Sequence, residues 1–555
     1  MPGYTYPVYP YHRCADQDAS AAPRHKVVIV GAGLVGLTAA IDLGLKGIPV
    51  VVIDEDNTVS LGSRSICQAK RTLEIWDRLG CAAPMLAKGI TWQKGKVFFR
   101  DRMVYEFDLQ PDGGHRFPAF INLQQYWVEQ YLVERAQTVP SVELRWNNRL
   151  AGLTRHDDHV GLEVETPDGR YRCTADWVIA ADGARSTARR LMGLEFRGKV
   201  FEDRFLIADV YVDTDFPTER WFWFEPPFHP GGSALLHRQA DGLWRVDLQL
   251  GWTADPEAEK QPERVIPRLK AIFGETAKFE IEWVSIYTFQ CRRLERFRHG
   301  RVIFAGDSAH QVSPFGARGG NSGVQDADNL CWKLALVVAG GAPESLLDSY
   351  ELERSAAADE HVMITTRSTD FITPKGAASR LFRNAVLALA ETHPFARRLV
   401  NSGRLSVPTV NRASPLDTPD LDRFDGGVAP GCAALDAPIA TDSRDGWLLP
   451  VLNGGFSGLY FTQGPIDPAT ASALASLNQA ALPVHGVVVA PAPIETPAGL
   501  CVVVDTAGLA ARRYAASPGT FYLLRPDQHV CARWRRFDAA AVAHALRRAT
   551  AQSEG

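Results

Sequence analysis

The chain has 555 residues, of which 46% are hydrophobic and 22% are charged, and this composition is typical of a globular protein with a large buried core. It argues against intrinsic disorder, a collagen-like repeat and a coiled coil. The formal net charge is −4, from 60 basic and 64 acidic residues, so neither nucleic acid nor an anionic membrane is expected as a partner.

Residues 1–24 form a Tyr- and Pro-rich N-terminal extension without the hydrophobic core of a secretory signal. A βαβ unit follows: an apolar β-branched run leads into Gly31-x-Gly33-x-x-Gly36, then an apolar helical pattern, then a second β run that ends in Asp54. In a dinucleotide-binding unit the first glycine makes the tight turn, the second lets the backbone approach a pyrophosphate, and the third lets the helix pack against the strand. Asp54 would accept a hydrogen bond from a ribose hydroxyl. The alternative is a glycine-rich contact between a helix and a sheet.

Two further motifs each follow a buried β run. Asp182-Gly183 comes after the run at 177–180, and Gly306-Asp307 comes after the run at 301–305. The segment between them, residues 192–298, is rich in aromatic and β-branched residues and predicts an antiparallel sheet. Because this segment lies between two motifs of the nucleotide-binding domain, we expect its sheet to be inserted into that domain, which is then discontinuous in sequence.

The glycine-rich stretch from Gly316 to Gly323 would place backbone N–H groups, and the positive end of a following helix, against a bound cofactor. Residues 401–431 contain several prolines and little apolar periodicity, which predicts a linker. Residues 432–555 predict a small α/β domain that a C-terminal helix closes.

Nine cysteines are spread from Cys14 to Cys531 without a CxxC pair, which argues against a disulfide framework and a structural zinc site. We therefore expect no metal, and reduced thiols in a cytoplasmic protein. No run of about 18 uninterrupted apolar residues predicts a membrane span.

With the three motifs in this order, residues 25–400 resemble the FAD-dependent aromatic hydroxylases, which are single-component flavoprotein monooxygenases. The resemblance implies a Rossmann-like FAD-binding domain of residues 25–191 and 299–400, with FAD as cofactor and NADH or NADPH as co-substrate. It implies that O2 reacts at the flavin, and that the resulting C4a-hydroperoxide hydroxylates a phenolic or other hydroxyaromatic compound. Residues 432–555 also resemble the thioredoxin-like tail of the subgroup that includes phenol hydroxylase, through Arg525-Pro526-Asp527. The overall expectation is an α/β fold with this tail and an inserted substrate-binding sheet.

The residues themselves and the resemblance together assign a set of positions to the cofactor. By the resemblance, Arg64 lies near the pyrophosphate and Gln125 contacts the flavin. The alternative for Arg64 is a surface ion pair, and the alternative for Gln125 is an amide on a helix surface. Arg318-Gly319-Gly320-Asn321 departs from the usual Gln-Gly-(Met/Ala)-Asn of the family. The complete set is Gly31, Gly33, Gly36, Asp54, Arg64, Gln125, Asp182, Gly306, Asp307, Pro314, Gly316, Gly319, Gly320 and Asn321.

Phenol hydroxylation calls for a group that takes or shares the phenolic proton. Tyr287, His237 and Arg245 lie on predicted strands of the inserted sheet and are the candidates, each with ordinary packing as the alternative. His310, within the Gly-Asp motif, is expected to make a structural hydrogen bond rather than to act in catalysis.

Two other functions remain open at this point. Trp221-Phe-Trp223-Phe-Glu225-Pro226 partly matches a motif of flavin-dependent halogenases, which share the FAD fold, but departs from it at Glu225. A non-catalytic flavin-binding module is the second alternative. A larger, polycyclic substrate and a homodimer are both compatible with the sequence.

Overall fold

The computed structural model describes residues 3–400, 405, 407–441, 444–452 and 454–552. Residues 1–2 of the predicted extension, 401–404 and 406 of the predicted linker, and 442–443, 453 and 553–555 of the predicted C-terminal domain lie outside the described residues. Among the described residues, no helix combines the length and hydrophobicity needed to cross a lipid bilayer.

The helices and strands are numbered in chain order. The strands are β1 Arg24–Val30, β2 Val50–Ile53, β3 Cys67–Ala69, β4 Ile90–Trp92, β5 Lys94–Phe99, β6 Arg102–Asp108, β7 Phe120–Asn122, β8 Val142–Arg145, β9 Arg149–Arg155, β10 Val160–Thr166, β11 Gly169–Ala180, β12 Phe196–Val212, β13 Arg220–Phe224, β14 Ser233–Arg238, β15 Leu243–Leu250, β16 Phe279–Leu294, β17 Arg298–His299, β18 Val302–Phe304, β19 His310–Gln311, β20 Pro438–Thr441, β21 Arg444–Trp447, β22 Phe456–Phe461, β23 Val484–Ala490, β24 Cys501–Val504, β25 Phe521–Leu524 and β26 Val530–Trp534. The helices are α1 Leu34–Leu45, α2 Lys70–Arg78, α3 Ala82–Lys88, α4 Gln125–Gln137, α5 Thr187–Leu191, α6 Pro256–Glu259, α7 Pro262–Phe273, α8 Gly319–Val338, α9 Asp348–Ile372, α10 Ala377–Ala390, α11 Pro394–Val400, α12 Leu448–Val451, α13 Pro468–Leu477, α14 Leu509–Arg513 and α15 Ala539–Ala549.

A mainly parallel sheet has the order β17-β18-β11-β1-β2-β8. Outside this order, β10 pairs antiparallel with β11 and with β9. β1 lies between β2 and β11 and is parallel to both, and β18 is parallel to β11. Strands buried on both faces need apolar residues throughout, which is why Val27–Val30 and Val50–Ile53 are continuous β-branched runs. α1 and α8 pack together over this sheet, so three segments far apart in sequence form one nucleotide-binding unit.

A second sheet has the order β19-β16-β12-β15-β14-β13-β5-β6. Most of it is antiparallel and lies in the predicted insert, but β5 joins it parallel to β13. The sheet therefore extends beyond residues 192–298, since β5 and β6 come from residues 94–108. α7 covers one face through Val265 and Leu269, and the other face points to the first sheet.

The C-terminal unit is a sheet with the order β21-β20-β24-β23-β22-β25-β26. β22, α13 and β23 form a parallel βαβ unit, and β25 and β26 form an antiparallel hairpin before α15. This is the mixed α/β unit that the sequence predicts, and its thioredoxin-like character stays a prediction.

The N-terminal extension lies against the loop of residues 57–65, which we call the cofactor loop. Tyr6 Oη accepts a hydrogen bond from the Gly62 N–H at 3.0 Å, and Thr58 Oγ1 donates to the Pro7 carbonyl at 2.6 Å. Tyr4 stacks on Tyr126 of α4 with ring centroids 4.1 Å apart. These contacts hold the outer side of the cofactor loop.

Candidate functional site

A cavity of about 440 Å³ lies where the carboxyl ends of β1, β2 and β11 face the second sheet. Ligand sites of open α/β sheets form at this edge. Most of the predicted cofactor residues line the cavity: Gly31, Gly33, Asp54, Arg64, Gln125, Asp182, Asp307, Pro314, Gly319 and Gly320. The three motifs, distant in sequence, are therefore brought together in one site.

The first glycine motif has the geometry that the sequence predicts. Gly31 has φ +104°, and a Cβ there would lie 2.6 Å from the Ala181 carbonyl oxygen. A Cβ on Gly36 would overlap the Gly31 carbonyl oxygen, because α1 leaves the strand at this point. A Cβ on Gly33 would have only the Glu129 carboxylate within 4 Å, at 3.7 Å. Gly33 thus leaves space in the cavity, whereas Gly31 and Gly36 permit a close backbone approach.

Two carboxylates flank this corner. Asp54 accepts hydrogen bonds from the backbone N–H groups of Ala32 at 2.5 Å and Asp56 at 2.8 Å, and burial raises its pKa to about 6. One oxygen of Asp182 accepts from the Ala188 N–H of α5 at 2.9 Å, while its buried Oδ1 has no partner among the described residues. Burial also raises the pKa of Asp182. An unpaired buried oxygen at a nucleotide corner fits a hydrogen bond to a bound cofactor.

Gln125 opens α4, as the sequence predicts, and holds the cofactor loop. Its carbonyl oxygen accepts from the Ser65 N–H at 3.2 Å, and its amide donates to Glu129 at 2.8 Å. Glu129 in turn accepts from the Ser60 N–H at 2.7 Å. Arg64 projects from this loop and is exposed at the cavity, where its charge suits a diphosphate.

The Gly-Asp corner completes the cradle. Gly306 has φ +64°, and a Cβ there would lie 2.8 Å from Val35 Cγ2 of α1. Asp307 lies in the cavity; burial raises its pKa, and the charges of His310 and Arg64 oppose that shift. His310 Nε2 lies 2.6 Å from Asp326 Oδ2, which gives it the structural hydrogen bond expected from the sequence.

Asn321 has a different place from the one its assignment to the cofactor suggested. Its carbonyl oxygen accepts from the Ala69 N–H at 2.9 Å and from Thr72 Oγ1 at 2.6 Å, and its amide donates to the carbonyls of Cys67 and Ala317. The side chain is buried among these groups and does not line the cavity, so it positions the start of α8. Gly36 and Gly306 likewise shape the backbone behind the cavity wall. Gly316 has φ +108° and lines a smaller chamber next to this cavity.

The residues present fit FAD. The cradle offers a glycine turn at the start of α1, a cation at a site suited to a diphosphate, and an unpaired carboxylate oxygen. A second glycine-rich helix start, with Gly319 and Gly320 on the cavity, would allow the close backbone contact that an isoalloxazine ring needs.

The second sheet forms the floor opposite the cradle, and its strand register arranges the side chains in rows. His237 is paired with Arg245, Arg245 with Asp209, and Asp209 with Trp283 in one row. Two residues further along each strand, a second row contains Phe222, Leu235, Asp247, Ile207 and Ser285. Since side chains two residues apart share a face, both rows point to the same side of the sheet.

The three predicted proton-handling residues all line the cavity, but they differ in what they can do. Arg245 forms a buried ion pair with Asp209, with N–O distances of 2.8 and 2.7 Å, and its Nη2 also donates to the Ser63 carbonyl. It is therefore a positioning residue that ties the cofactor loop to the sheet. Burial raises the pKa of Tyr287 to about 12, and burial with two nearby arginines holds the pKa of His237 well below its ordinary value. His237 is thus neutral, and its Nδ1 has no partner among the described residues.

Sequence reasoning missed two cavity residues, Arg220 and Asp247. Asp247 lies two residues after Arg245 on β15, and strand alternation could have placed it on the same face. Arg220 directly precedes the Trp221–Trp223 segment that was compared with the halogenase motif. Both tryptophans point to the opposite face of the sheet, where Trp221 packs on Phe98.

Comparison with known proteins agrees with this geometry. A protein family described as "FAD binding domain" matches residues 24–365. The chain belongs to this family. It is also 31% identical over 538 residues, 92% of this chain and 91% of the relative, to 6-methylpretetramide 4-monooxygenase of Streptomyces rimosus. The chain is accordingly an FAD-dependent monooxygenase of the aromatic hydroxylase type.

Solved structures share the fold over almost the whole chain. The crystal structure of the flavin-dependent monooxygenase PieE with FAD and substrate has a TM-score of 0.80 at 22% identity, covering 96% of this chain and 100% of its own. A ternary complex of aklavinone-11 hydroxylase with FAD and aklavinone has a TM-score of 0.77 at 23% identity, covering 95% and 99%. At these identities the likeness supports the fold, including the C-terminal unit, rather than a particular substrate.

Proposed function

We propose that this monooxygenase uses NADH or NADPH and O2 to hydroxylate a hydroxyaromatic compound with more than one ring. When bound, FAD supplies the redox chemistry, by taking electrons from the nicotinamide and activating O2. The protein supplies the cradle that orients the cofactor and the sheet that forms the floor of the substrate chamber. A homodimer and a cytoplasmic location stay predictions from the sequence.

The observation that supports a multi-ring substrate is an apolar extension of the cavity. A second chamber of about 70 Å³ shares Arg220, Phe315 and Arg318 with the first. Phe222, Phe224 and Ile372 form much of its wall. Phe315 stands between the chambers, with its ring centroid 5.3 Å from that of Phe205 and 5.0 Å from that of Phe289. Flat apolar walls of this kind favour an extended aromatic ligand over a single ring.

Two of the named relatives fit this proposal. One is a 6-methylpretetramide 4-monooxygenase, and one structural neighbour is bound to aklavinone. The halogenase alternative receives no support from the geometry, because Trp221 and Trp223 face away from the cavity.

The test is a panel of phenols, naphthols and hydroxyanthraquinones, assayed with NADH and with NADPH. We expect multi-ring compounds to stimulate nicotinamide oxidation, with a product that gains one oxygen atom in proportion to the cofactor consumed. A higher kcat/KM for single-ring phenols would refute the multi-ring proposal. A chloride-dependent product would identify a halogenase, and a flavin that no aromatic compound perturbs would favour the non-catalytic module.

A further inference from the structure

Arg220 is a buried cation: the residue is only 8% exposed. In the described part of the chain, its guanidinium makes no ion pair and donates no hydrogen bond. Burial lowers the pKa of its guanidinium, and the negative charge of Asp247 only partly opposes that shift. Buried arginines are normally paired, so an unpaired one that faces two cavity chambers indicates a ligand group as its partner.

Asp247 is the matching anion on the same floor. It lies in the second row between Leu235 and Ile207, neither of which can donate a side-chain hydrogen bond. Its Oδ1 is buried without a partner in the described part of the chain. The nearest arginine along the strand, Arg245, is already committed to Asp209 and Ser63. Asp247 is therefore left as an unsatisfied acceptor at the cavity.

The two groups are complementary in what they can bind. A guanidinium only donates hydrogen bonds and a carboxylate only accepts them. They lie on β13 and β15, on either side of β14, so their backbones are roughly 10 Å apart and the long arginine side chain spans part of that distance. A ligand that satisfies both must present a hydroxyl donor and a separate oxygen acceptor.

We propose that Asp247 accepts the phenolic proton of the substrate, and that Arg220 binds a carbonyl or carboxylate oxygen of the same molecule. The substrate class is then hydroxyaromatic acids, ketones and quinones rather than simple phenols. In this step the phenolic O–H bond breaks, its electron pair stays on the oxygen, and Asp247 carries the proton. The phenolate so formed has the electron-rich ring that oxygen transfer requires. This proposal rests on the proposed function and adds the substrate class and the base.

The surroundings of Asp247 set the pH range. Burial raises its pKa to about 6; Arg245 and Arg220 oppose the shift, and Asp209 adds to it. The other titratable groups that face it are the neutral His237 and the buried Cys67 thiol of β3, whose pKa burial raises to about 11. Asp247 is thus charged and able to accept a proton above about pH 6, and it loses this ability as the pH falls below that value.

The experiment compares 6-hydroxy-2-naphthoate, a phenol whose carboxylate lies at the opposite end of the ring system, with 2-naphthol, which lacks the carboxylate. Binding to the FAD-loaded protein is followed by the flavin difference spectrum, and phenolate formation by the absorbance of the bound naphthol. We expect the wild type to bind the acid at least about 10-fold more tightly, since a charge-assisted hydrogen bond contributes this much or more. Arg220→Gln should remove that preference, and Asp247→Asn should move phenolate formation to a higher pH.

Matched controls are Arg238→Gln, on the outer face of the same region of sheet, and Glu280→Gln, at the exposed far end of β16. Neither should change the binding ratio or the phenolate step. If Arg220→Gln does not fold, Arg220→Lys keeps the charge without the planar fork and should reduce the preference partially.

The proposal is overturned if the wild type binds neither probe, if Arg220→Gln keeps the acid preference, or if Asp247→Asn forms phenolate over the same pH range. Selective binding without hydroxylated product from any compound would overturn the proposed function alone. Product formation with unselective binding would overturn only the present proposal.

Discussion

Glu353 of α9 joins the FAD-binding part of the chain to the C-terminal unit. The substitution Glu353→Gln measures how much this junction contributes to the free energy of unfolding. One carboxylate oxygen accepts from Arg525 Nη1 at 2.6 Å; the other accepts from Asn329 Nδ2 at 2.6 Å and Lys333 Nζ at 2.8 Å. The side chains of Glu353, Lys333 and Arg525 are all 0% exposed. Burial alone would raise the pKa of Glu353, but the positive charges of Arg525 and Lys333 hold that pKa well below its ordinary value.

The substitution leaves two buried cations with less negative charge near them. Removing one partner of a buried ion pair costs about 3–5 kcal/mol. Arg525 keeps Asp527 at 2.6 Å, so the lower half of that range applies to it. Burial already lowers the pKa of Lys333 to about 8 against the attraction of Glu353, so without the carboxylate Lys333 loses its proton near neutral pH. We expect a loss of about 3–4 kcal/mol near pH 7, and a smaller loss near pH 9, where a neutral Lys333 is less costly.

Urea unfolding followed by tryptophan fluorescence measures this loss. The matched control is Glu391→Gln, which removes a carboxylate from a partly exposed pair with Arg102 at 3.2 Å and should cost less than about 1 kcal/mol. If Glu353→Gln costs no more than Glu391→Gln, the buried network does not stabilise the junction and the reasoning fails.

Asp326→Asn removes the carboxylate that pairs with Arg354 and should lower the free energy of unfolding by about 3 kcal/mol near pH 7. An unchanged free energy of unfolding in urea would refute this prediction. Because the folded pKa of Asp326 is lowered to about 2, its contribution is present above about pH 4 and should be lost as the pH falls towards 2, as acid titration of unfolding would show. Deleting residues 3–13 frees the cofactor loop from its hydrogen bonds to the extension, so limited proteolysis should cut that loop several-fold faster; an unchanged rate would contradict this role. Gly36→Ala should prevent folding, because its Cβ would overlap the Gly31 carbonyl oxygen, and soluble yield and circular dichroism would show the loss. The control Gly113→Ala, whose Cβ meets nothing within 4 Å, should change neither measurement.

The cofactor cradle could be predicted from the sequence because each corner is local. The turn from β1 through Gly31 to α1 lies within a few residues, and its glycines are fixed by backbone geometry that the motif itself specifies. Gln125 was carried over from the family resemblance, and it does lie at the start of α4 and on the cavity.

The substrate floor could not be predicted in the same way, because it depends on which strands are neighbours. Arg245 was expected to handle protons, yet Asp209, 36 residues earlier, lies on the adjacent strand and fixes it in an ion pair. Arg220 and Asp247 face one cavity only because β14 places β13 and β15 two strands apart. The side-chain oxygen of Asn321 accepts hydrogen bonds from Ala69 and Thr72, about 250 residues away in the chain. Such long-range pairings are not contained in motif spacing.

Three glycine-bearing corners form one FAD cradle, and the decisive measurement for this arrangement is the FAD content of purified Gly33→Leu. A Cβ at Gly33 has only the Glu129 carboxylate within 4 Å and points into open cavity, so we expect the variant to fold like the wild type and to fill the space of the cofactor. We expect one bound FAD per wild-type chain, and a folded, colourless variant with the same circular dichroism. A yellow Gly33→Leu protein that carries a full complement of FAD would contradict this arrangement.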